Sequence, residues 1–392
     1  MEQLSISLLG AFRVTRDGEP ITDFEADSAR ALLAYLAMHA GTAFPRTALA
    51  ALLWPDQPEA DALHALRQAL NRLRRAIGDQ EADPPFLTIT RTTVQFNPGS
   101  RYWLDVAAFS DLISACKHHP HRRLEACRPC RRRLAQAADL YRGDLLAGFF
   151  WNSTPFEEWL LLERESLHRQ AIDALYHLAA CHEQREEWDA VLHYARKQIE
   201  LEPWREEAHR QLMRALALSG QRSAALAQYQ TCRRILAAEL GVAPTAATEA
   251  LCAQIEAETL APHPQPPHNL PTQLTPFIGR EAELEQIAER LNHPDCRLVT
   301  LVGLGGVGKT RLALQIAREC QNTFPHGVCF VPLTATHSAD TLATALAQRL
   351  GIHTHSGERL TPQLVNYLKG KDLLLVLDNL EHLTSGNELI DR

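Results

Sequence analysis

Apolar residues recur along the chain in helical and strand-like rhythms. In Ala62–Ile77, Leu63, Leu66, Leu70, Leu73 and Ile77 follow steps of three and four, which puts them on one stripe of a helix. Gly78 supplies the stop. Leu32, Leu33 and Leu36 give Ser28–His39 a similar inward face, and Arg46–Leu53 reads as a shorter helix between the two. Leu4–Val14 reads as a strand followed by a turn at Gly18-Glu-Pro20. Phe86–Phe96 alternates apolar with polar positions, the pattern of a small β-hairpin. From about residue 157 to 258 the pattern is helical and echoes itself at a shift of 34 residues. Ala174 matches Ala208, Leu178 matches Leu212, Ala190 matches Ala224, and Leu192 matches Leu226. That is the period of a tetratricopeptide helix pair, with a plain helical bundle as the alternative. Further on, Arg297–Val302 is a β-type run, Arg311–Cys320 is helical, and Leu373–Leu377 is an apolar strand running into Asp378.

Two joints divide this pattern. Pro262-His-Pro-Gln-Pro-Pro-His-Asn-Leu-Pro271 holds five prolines in ten residues, which excludes a helix or a sheet interior. A weaker joint near 97–105 separates mixed strands and helices from helices alone. The expected architecture is therefore mixed and multidomain. Residues 1–100 form an α+β domain of the winged helix-turn-helix kind. Residues 101–260 form an all-α, tetratricopeptide-like domain, and 261–274 are a proline-rich linker. Residues 275–392 hold an α/β nucleotide-binding core that is partial in this chain. With 45% hydrophobic and 22% charged residues among 392, the composition is that of a folded protein. No run approaches the roughly 20 apolar residues of a membrane helix, and the start does not resemble a secretory signal. Nine cysteines, an odd number, fit a reducing cytoplasm better than a disulfide framework.

The net charge of −7 argues against nucleic acid, yet the charge is uneven. Residues 101–142 carry nine basic and four acidic residues, and 63–78 hold four arginines, one histidine and no acid. Nucleic-acid footprints are local. Opposite the apolar stripe of Ala62–Ile77 stand His64, Arg67, Gln68, Asn71, Arg74 and Arg75. Such side chains read base edges and hold phosphates, arginine pairing with guanine and asparagine or glutamine with adenine. A hairpin directly after this helix suits a wing, so these six residues are the expected DNA-binding face. A solvated surface helix is the plainer alternative.

Residues 116–130 read Cys-Lys-His-His-Pro-His-Arg-Arg-Leu-Glu-Ala-Cys-Arg-Pro-Cys. Cys116 and His119 form C-x-x-H, and Cys127 and Cys130 form C-x-x-C. Two such pairs suit a structural Zn²⁺ with those four ligands. His118 or His121 can replace His119. Free thiols in a basic loop and a redox C-x-x-C pair stay open as readings.

Gly303-Leu-Gly-Gly-Val-Gly-Lys-Thr310 is G-x-x-x-x-G-K-T between a β-type run and a helix. In a P-loop, backbone N–H groups cradle phosphate oxygens, the lysine reaches the β- and γ-phosphates, and the threonine hydroxyl ligates Mg²⁺. Gly303, Gly305, Gly306, Val307, Gly308, Lys309, Thr310 and Arg311 are thus the candidate nucleotide residues. Asp378 is the expected second acidic site for Mg²⁺ or its water. Glu381 is either a water-polarising group or a surface residue.

Several of these strings resemble known families. The order strand, three helices, hairpin resembles the winged-helix effector domain of OmpR-type response regulators. Leu66-Arg-Gln-Ala-Leu-Asn-Arg-Leu-Arg-Arg-Ala-Ile-Gly78 resembles the third helix of the Streptomyces antibiotic regulatory protein (SARP) type. Tyr141-Arg-Gly-Asp-Leu-Leu-Ala-Gly-Phe149, Glu158-Trp159, Glu163-Arg164 and Ala237-Ala-Glu-Leu-Gly-Val-Ala-Pro244 resemble the bacterial transcriptional activator domain of that family. Thr275-Pro-Phe-Ile-Gly-Arg-Glu281 and Asp378-Asn-Leu-Glu-His-Leu383 resemble signal-transduction ATPases with numerous domains, including the NB-ARC group. In that group the first segment lies against the adenine, which adds Ile278 and Arg280 to the candidates. Where the group often has a second acid, this chain has Asn379, so hydrolysis is expected to be weak at most. The resemblance implies a cytoplasmic transcriptional activator of the SARP/AfsR type. It would bind double-stranded promoter DNA, contact RNA polymerase, dimerise through its helical domain, and be switched by ATP or ADP with Mg²⁺. The alternative is a signalling ATPase whose N-terminal domains bind protein partners. The strands, sensor arginine, lid and repeat sensor that follow in the ATPase class are not in the 392 residues, so the expectation is a truncated NTPase half.

Overall fold

The computed structural model describes residues 3–22, 24–262, 266–273, 275–334, 339–352 and 360–380. They form two compact units, the segment 120–131 belonging to the second. The first begins with β1 (Leu4–Ser7), β2 (Arg13–Arg16) and β3 (Glu19–Pro20), followed by α1 (Asp27–Met38), β4 (Phe44–Pro45), α2 (Arg46–Leu53) and α3 (Glu59–Ala76). Then come β5 (Leu87–Ile89), β6 (Thr93–Phe96), β7 (Tyr102–Leu104) and α4 (Asp105–Lys117). One sheet has the order β3-β2-β1-β7, with β1 antiparallel to β2 and parallel to β7. The other, β4-β6-β5, is antiparallel and carries the predicted hairpin.

Leu4–Val14 is not one strand. It is β1 and the start of β2, turned at Gly10, whose φ of +101° is open to glycine. A single strand does not form because Leu8 and Leu9 are both fully buried. Their backbone N–H groups donate to the carboxylate of Asp105 (2.8–3.0 Å) instead of to a strand. Asp105 is itself fully buried and also accepts from Arg142 at 3.0 Å. Burial raises its pKa against the opposing pull of these bonds and of Arg142.

The stripe on α3 packs as predicted. Leu66, Leu70, Leu73 and Ile77 are buried, whereas Leu63 is only half-buried. α1 packs against α3 and β6, and Leu32, Leu33 and Leu36 of α1 are buried, as are Phe86, Val94 and Phe96 of the wing. The packing of α1 and α2 onto this face leaves one side of α3 to solvent.

Helices α5 (Arg128–Leu140), α6 (Thr154–Glu183), α7 (Trp188–Leu201), α8 (Glu206–Leu218), α9 (Arg222–Glu239) and α10 (Ala246–Glu256) make up the helical region. α7 and α9 begin at Trp188 and Arg222, one 34-residue period apart. Leu192 and Leu212 share a core with Val191, Ala195, Met213 and Leu251, and Leu226 packs against it. Ala224, in contrast, is exposed.

The nucleotide domain contains α11 (Glu281–Asn292), α12 (Lys309–Glu319), β8 (Val328–Pro332), α13 (Ala339–Arg349), α14 (Leu360–Leu368) and β9 (Leu374–Asp378). β8 and β9 pair in parallel, from Val328↔Leu374 to Pro332↔Asp378. The run Arg297–Val302 forms no strand. Val299 and Leu301 pack against Leu284, Leu312 and Ile316, so the burial was legible but the ladder did not follow from it. The proline-rich segment also differs from a bare spacer. His268 bridges Val328 in parallel, Asn269 Oδ1 accepts from Phe330 N–H (2.6 Å), and Leu270 is buried. It lies along an edge, the one sheet position prolines tolerate.

Candidate functional site

On α3, His64, Arg67, Gln68, Asn71 and Arg75 are exposed, one to two turns apart on one face. Arg67 and Asn71 make no hydrogen bond or ion pair among the described residues. His64 Nε2 and Gln68 Nε2 lie 2.8 Å apart, joined by a hydrogen bond. Arg75 reaches Glu25 at 3.1 Å near the end of the helix. Arg74 does not join this face. Its Nε donates to Asp79 Oδ2 at 2.9 Å, and Asp79, 1% exposed, also accepts from Leu87 N–H at 2.8 Å. Arg74 thus fastens the helix to the wing. Asp79 lies five residues after Arg74 and beyond the end of α3, so helical spacing alone could not reveal this. Arg91, exposed in the turn between β5 and β6, was not singled out from the sequence. Its only signal was its position at a hairpin tip.

The second cluster lies at the start of α12. Gly306 and Gly308 have φ of +79° and +93°, and the space before Gly305, Gly306 and Gly308 is open. Those left-handed angles are cheap for glycine only. They turn the chain into α12, whose N-terminus carries partial positive charge. Thr310 Oγ1 donates to Asp378 Oδ1 at 2.7 Å. The two predicted Mg²⁺ ligands therefore meet, although 68 residues apart. Lys309 Nζ donates to the carbonyls of Gly303 (2.8 Å) and Leu304 (3.3 Å). Arg280, left-handed at φ 63°, donates to Val307 O at 2.7 Å and so ties its segment to the loop. Ile278, Val302, Leu304 and Val307 are exposed around it. Arg311 points elsewhere. Its guanidinium donates to Thr275 and Pro276 and lies 5.9 Å from the Phe277 ring centroid. The loop glycines, Lys309 and the Thr310–Asp378 pair fit a nucleoside triphosphate or diphosphate with Mg²⁺. Glu381 lies outside the described residues.

The cysteine–histidine segment has a different donor set from the one expected. His119, His121, Cys127 and Cys130 each bring a ligand atom within 4.8 Å of the others. Cys116 is on α4, buried and outside this group, so His121 stands in its place. The C-x-x-H spacing misled because α4 continues through Cys116 and ends before His119. Cys181 lies near Leu124, fully buried, its thiol pushed up to about 12 by burial, with Glu125 adding to the rise. No disulfide is present.

Among the described residues no helix is long and apolar enough to cross a membrane. The chain matches the C-terminal domain of transcriptional regulatory proteins over residues 26–93, the bacterial transcriptional activator domain over 104–256 and the NB-ARC domain over 280–383. The regulatory protein AfsR of Streptomyces coelicolor is 28% identical over 96% of this chain and 39% of its own length. AfsR of Streptomyces griseus is 27% identical over 96% and 40%. The chain thus spans about two-fifths of these relatives. A putative HTH-type transcriptional regulator of Mycobacterium tuberculosis is 41% identical over 22% of this chain and 10% of its own. Mycobacterium tuberculosis EmbR, solved in complex with a low-affinity phosphopeptide, shares the fold at a TM-score of 0.52, with 24% identity and 66% of each chain covered. Matches to the C-terminal domain of transcriptional regulatory proteins, the bacterial transcriptional activator domain and the NB-ARC domain thus follow one another along this chain, which is similar over 96% of its length to the regulatory protein AfsR.

Proposed function

We propose that this chain is a DNA-binding transcriptional activator whose nucleotide domain acts as its switch. The observation that carries this reading is the outer face of α3, where Arg67 and Asn71 stand exposed on a helix braced by a wing. An exposed Arg and Asn one turn apart offer bidentate donors to guanine and adenine edges in the major groove, each good pair contributing about 1–3 kcal/mol of discrimination. His64 and Gln68 extend the same face, and Arg75 and Arg91 are placed to hold phosphates on either side. Double-stranded promoter DNA is the ligand of this face. RNA polymerase and a second copy of the chain are the protein partners of the activator reading, and the cytoplasm is its compartment.

ATP or ADP with Mg²⁺ is the ligand of the glycine loop. Lys309 would hold the β- and γ-phosphates, and Thr310 with Asp378 would hold the metal. Arg280 would fix the segment that carries Ile278 against the base. As a switch, the nucleotide would bind two states of the chain unequally. Asn379 in place of a second acid favours occupancy over turnover.

The test is fluorescence anisotropy of the full chain with a pool of promoter fragments across a salt series. Specific binding above competitor DNA is expected, weakening steeply with salt, and Arg67→Ala is expected to lower it about 10-fold or more. No binding at any salt by the folded chain would sink the reading and leave a nucleotide-dependent protein-interaction module.

A further inference from the structure

Neither the DNA face nor the glycine loop uses residues 119–130. His119, His121, Cys127 and Cys130 converge there with ligand atoms no more than 4.8 Å apart, the two thiols buried and the two imidazoles half-buried. Cys130 Sγ is 3.8 Å from His121 Nδ1. A turn closed by Cys127 N–H to Leu124 O (3.0 Å) leads into α5, and its first turn sets Cys127 and Cys130 on one side. We propose that these four residues bind one structural Zn²⁺, and that the metal shapes 120–131 into a clasp on the nucleotide domain.

Ligand chemistry and size both suit zinc. Bond lengths of about 2.3 Å to sulfur and 2.0–2.1 Å to nitrogen place tetrahedral ligand atoms roughly 3.3–3.8 Å apart. The observed cluster needs only small side-chain adjustments to reach that spacing. Two thiolates and two neutral imidazoles around Zn²⁺ carry no net charge, so the closed site can stay buried. Four protein ligands leave no open position, the mark of a structural and not a catalytic site. Zinc binding releases the two thiol protons to solvent, and no redox step is involved.

What the metal organises is visible in the neighbouring arginines. Arg122, next to ligand His121, donates its backbone N–H to Asn292 O at 2.8 Å. Its guanidinium reaches the carbonyls of Leu291 (3.2 Å) and Cys296 (3.2 Å) and the carboxylate of Asp372 (2.9 Å). Arg123 donates to Asn322 O at 3.1 Å, and Arg128, between the two cysteines, pairs with Glu319 at 2.6 Å. These contacts gather the C-terminal ends of α11 and α12 and the residues before β9. Arg122 and Arg123 lie outside regular structure and Arg128 opens α5, so the three guanidiniums keep their register only if the turns between them are fixed. The four ligands bracket all three arginines.

The experiment uses the full chain, purified without chelator and with its fold checked by circular dichroism. Mass spectrometry of metal content is expected to find one zinc per chain. Cobalt substitution is expected to give the intense visible bands of a tetrahedral thiolate site. Cys127→Ser with Cys130→Ser should lose the metal, whereas Cys116→Ser and Cys181→Ser should keep it. Stripping zinc from the unmutated chain should speed tryptic cleavage after Arg122 and Arg123. A chain without zinc, a cobalt spectrum lacking thiolate bands, or a Cys127–Cys130 disulfide in its place would overturn the site. Loss of zinc in Cys116→Ser would overturn the ligand set. Unchanged cleavage after stripping would overturn the clasp.

Discussion

Arg67 and Arg74 lie seven residues apart on one helix, and their environments separate their roles. Arg67 is exposed and meets no partner among the described residues, whereas Arg74 is bound to the buried Asp79. Arg74→Ala leaves a buried carboxylate short of a charged partner and is expected to cost about 1–3 kcal/mol of stability, read as a lowered midpoint in urea. Arg67→Ala should leave that midpoint unchanged while weakening DNA binding. The reverse pattern would exchange their roles. Gly327 is a second residue where local geometry decides. It has φ +100°, and a Cβ there would collide with Pro267 O, the acceptor of Val328 N–H. Gly327→Ala therefore combines a left-handed backbone with a backbone collision. It should destabilise the nucleotide domain by about 1–3 kcal/mol or more, measured by thermal unfolding of the chain. Wild-type stability in that variant would show that Pro267 does not rest on Gly327.

Among the elements, α8 and α10 are joined by one carboxylate. Glu206 Oε2 accepts from Thr245 N–H (2.9 Å), Thr245 Oγ1 (2.8 Å) and Thr248 Oγ1 (2.5 Å), at the start of α10. Burial opposes its charged form. The hydrogen bonds from Thr248 and Thr245, with Arg210, outweigh that and hold its pKa below the usual value. A depressed carboxylate stabilises the fold above its unfolded pKa of about 4.3 and loses that contribution as the pH falls through its folded value. Glu206→Gln should therefore lower the melting temperature at neutral pH, and the gap to wild type should close in acid. A gap that widened in acid would contradict this account. Much at this scale was legible in advance. The stripe of α3, the wing and the glycine loop follow from spacing that any partner would respect. β1 and β2 were not, because the Leu8 and Leu9 amides find the Asp105 carboxylate about a hundred residues on. The cysteine–histidine cluster was half legible. Cys127 and Cys130 share a turn, but choosing His121 over Cys116 depends on where α4 ends. The position of the Arg311 side chain was not legible for a like reason, since it bonds a segment more than thirty residues earlier.

For the chain as a whole, a switch requires that nucleotide bind two states unequally. Such couplings typically amount to about 1–3 kcal/mol, or roughly 5–150-fold in affinity. ATP with Mg²⁺ is therefore expected to change promoter affinity within that range, and Lys309→Ala should abolish the response while leaving DNA binding without nucleotide intact. Identical DNA titrations with and without saturating ATP would remove the gating role and leave the two ligands independent. A different consequence follows from the docked proline-rich segment. β8 has β9 on one side and His268 on the other, so neither flank is left as a bare ladder. A bare ladder is a template on which neighbouring chains stack into aggregates. Pro266, Pro267 and Pro271 have no N–H to offer such a stack. The stretch that joins two domains thus also serves as a selvedge for β8, keeping that flank from being continued by another molecule at high concentration.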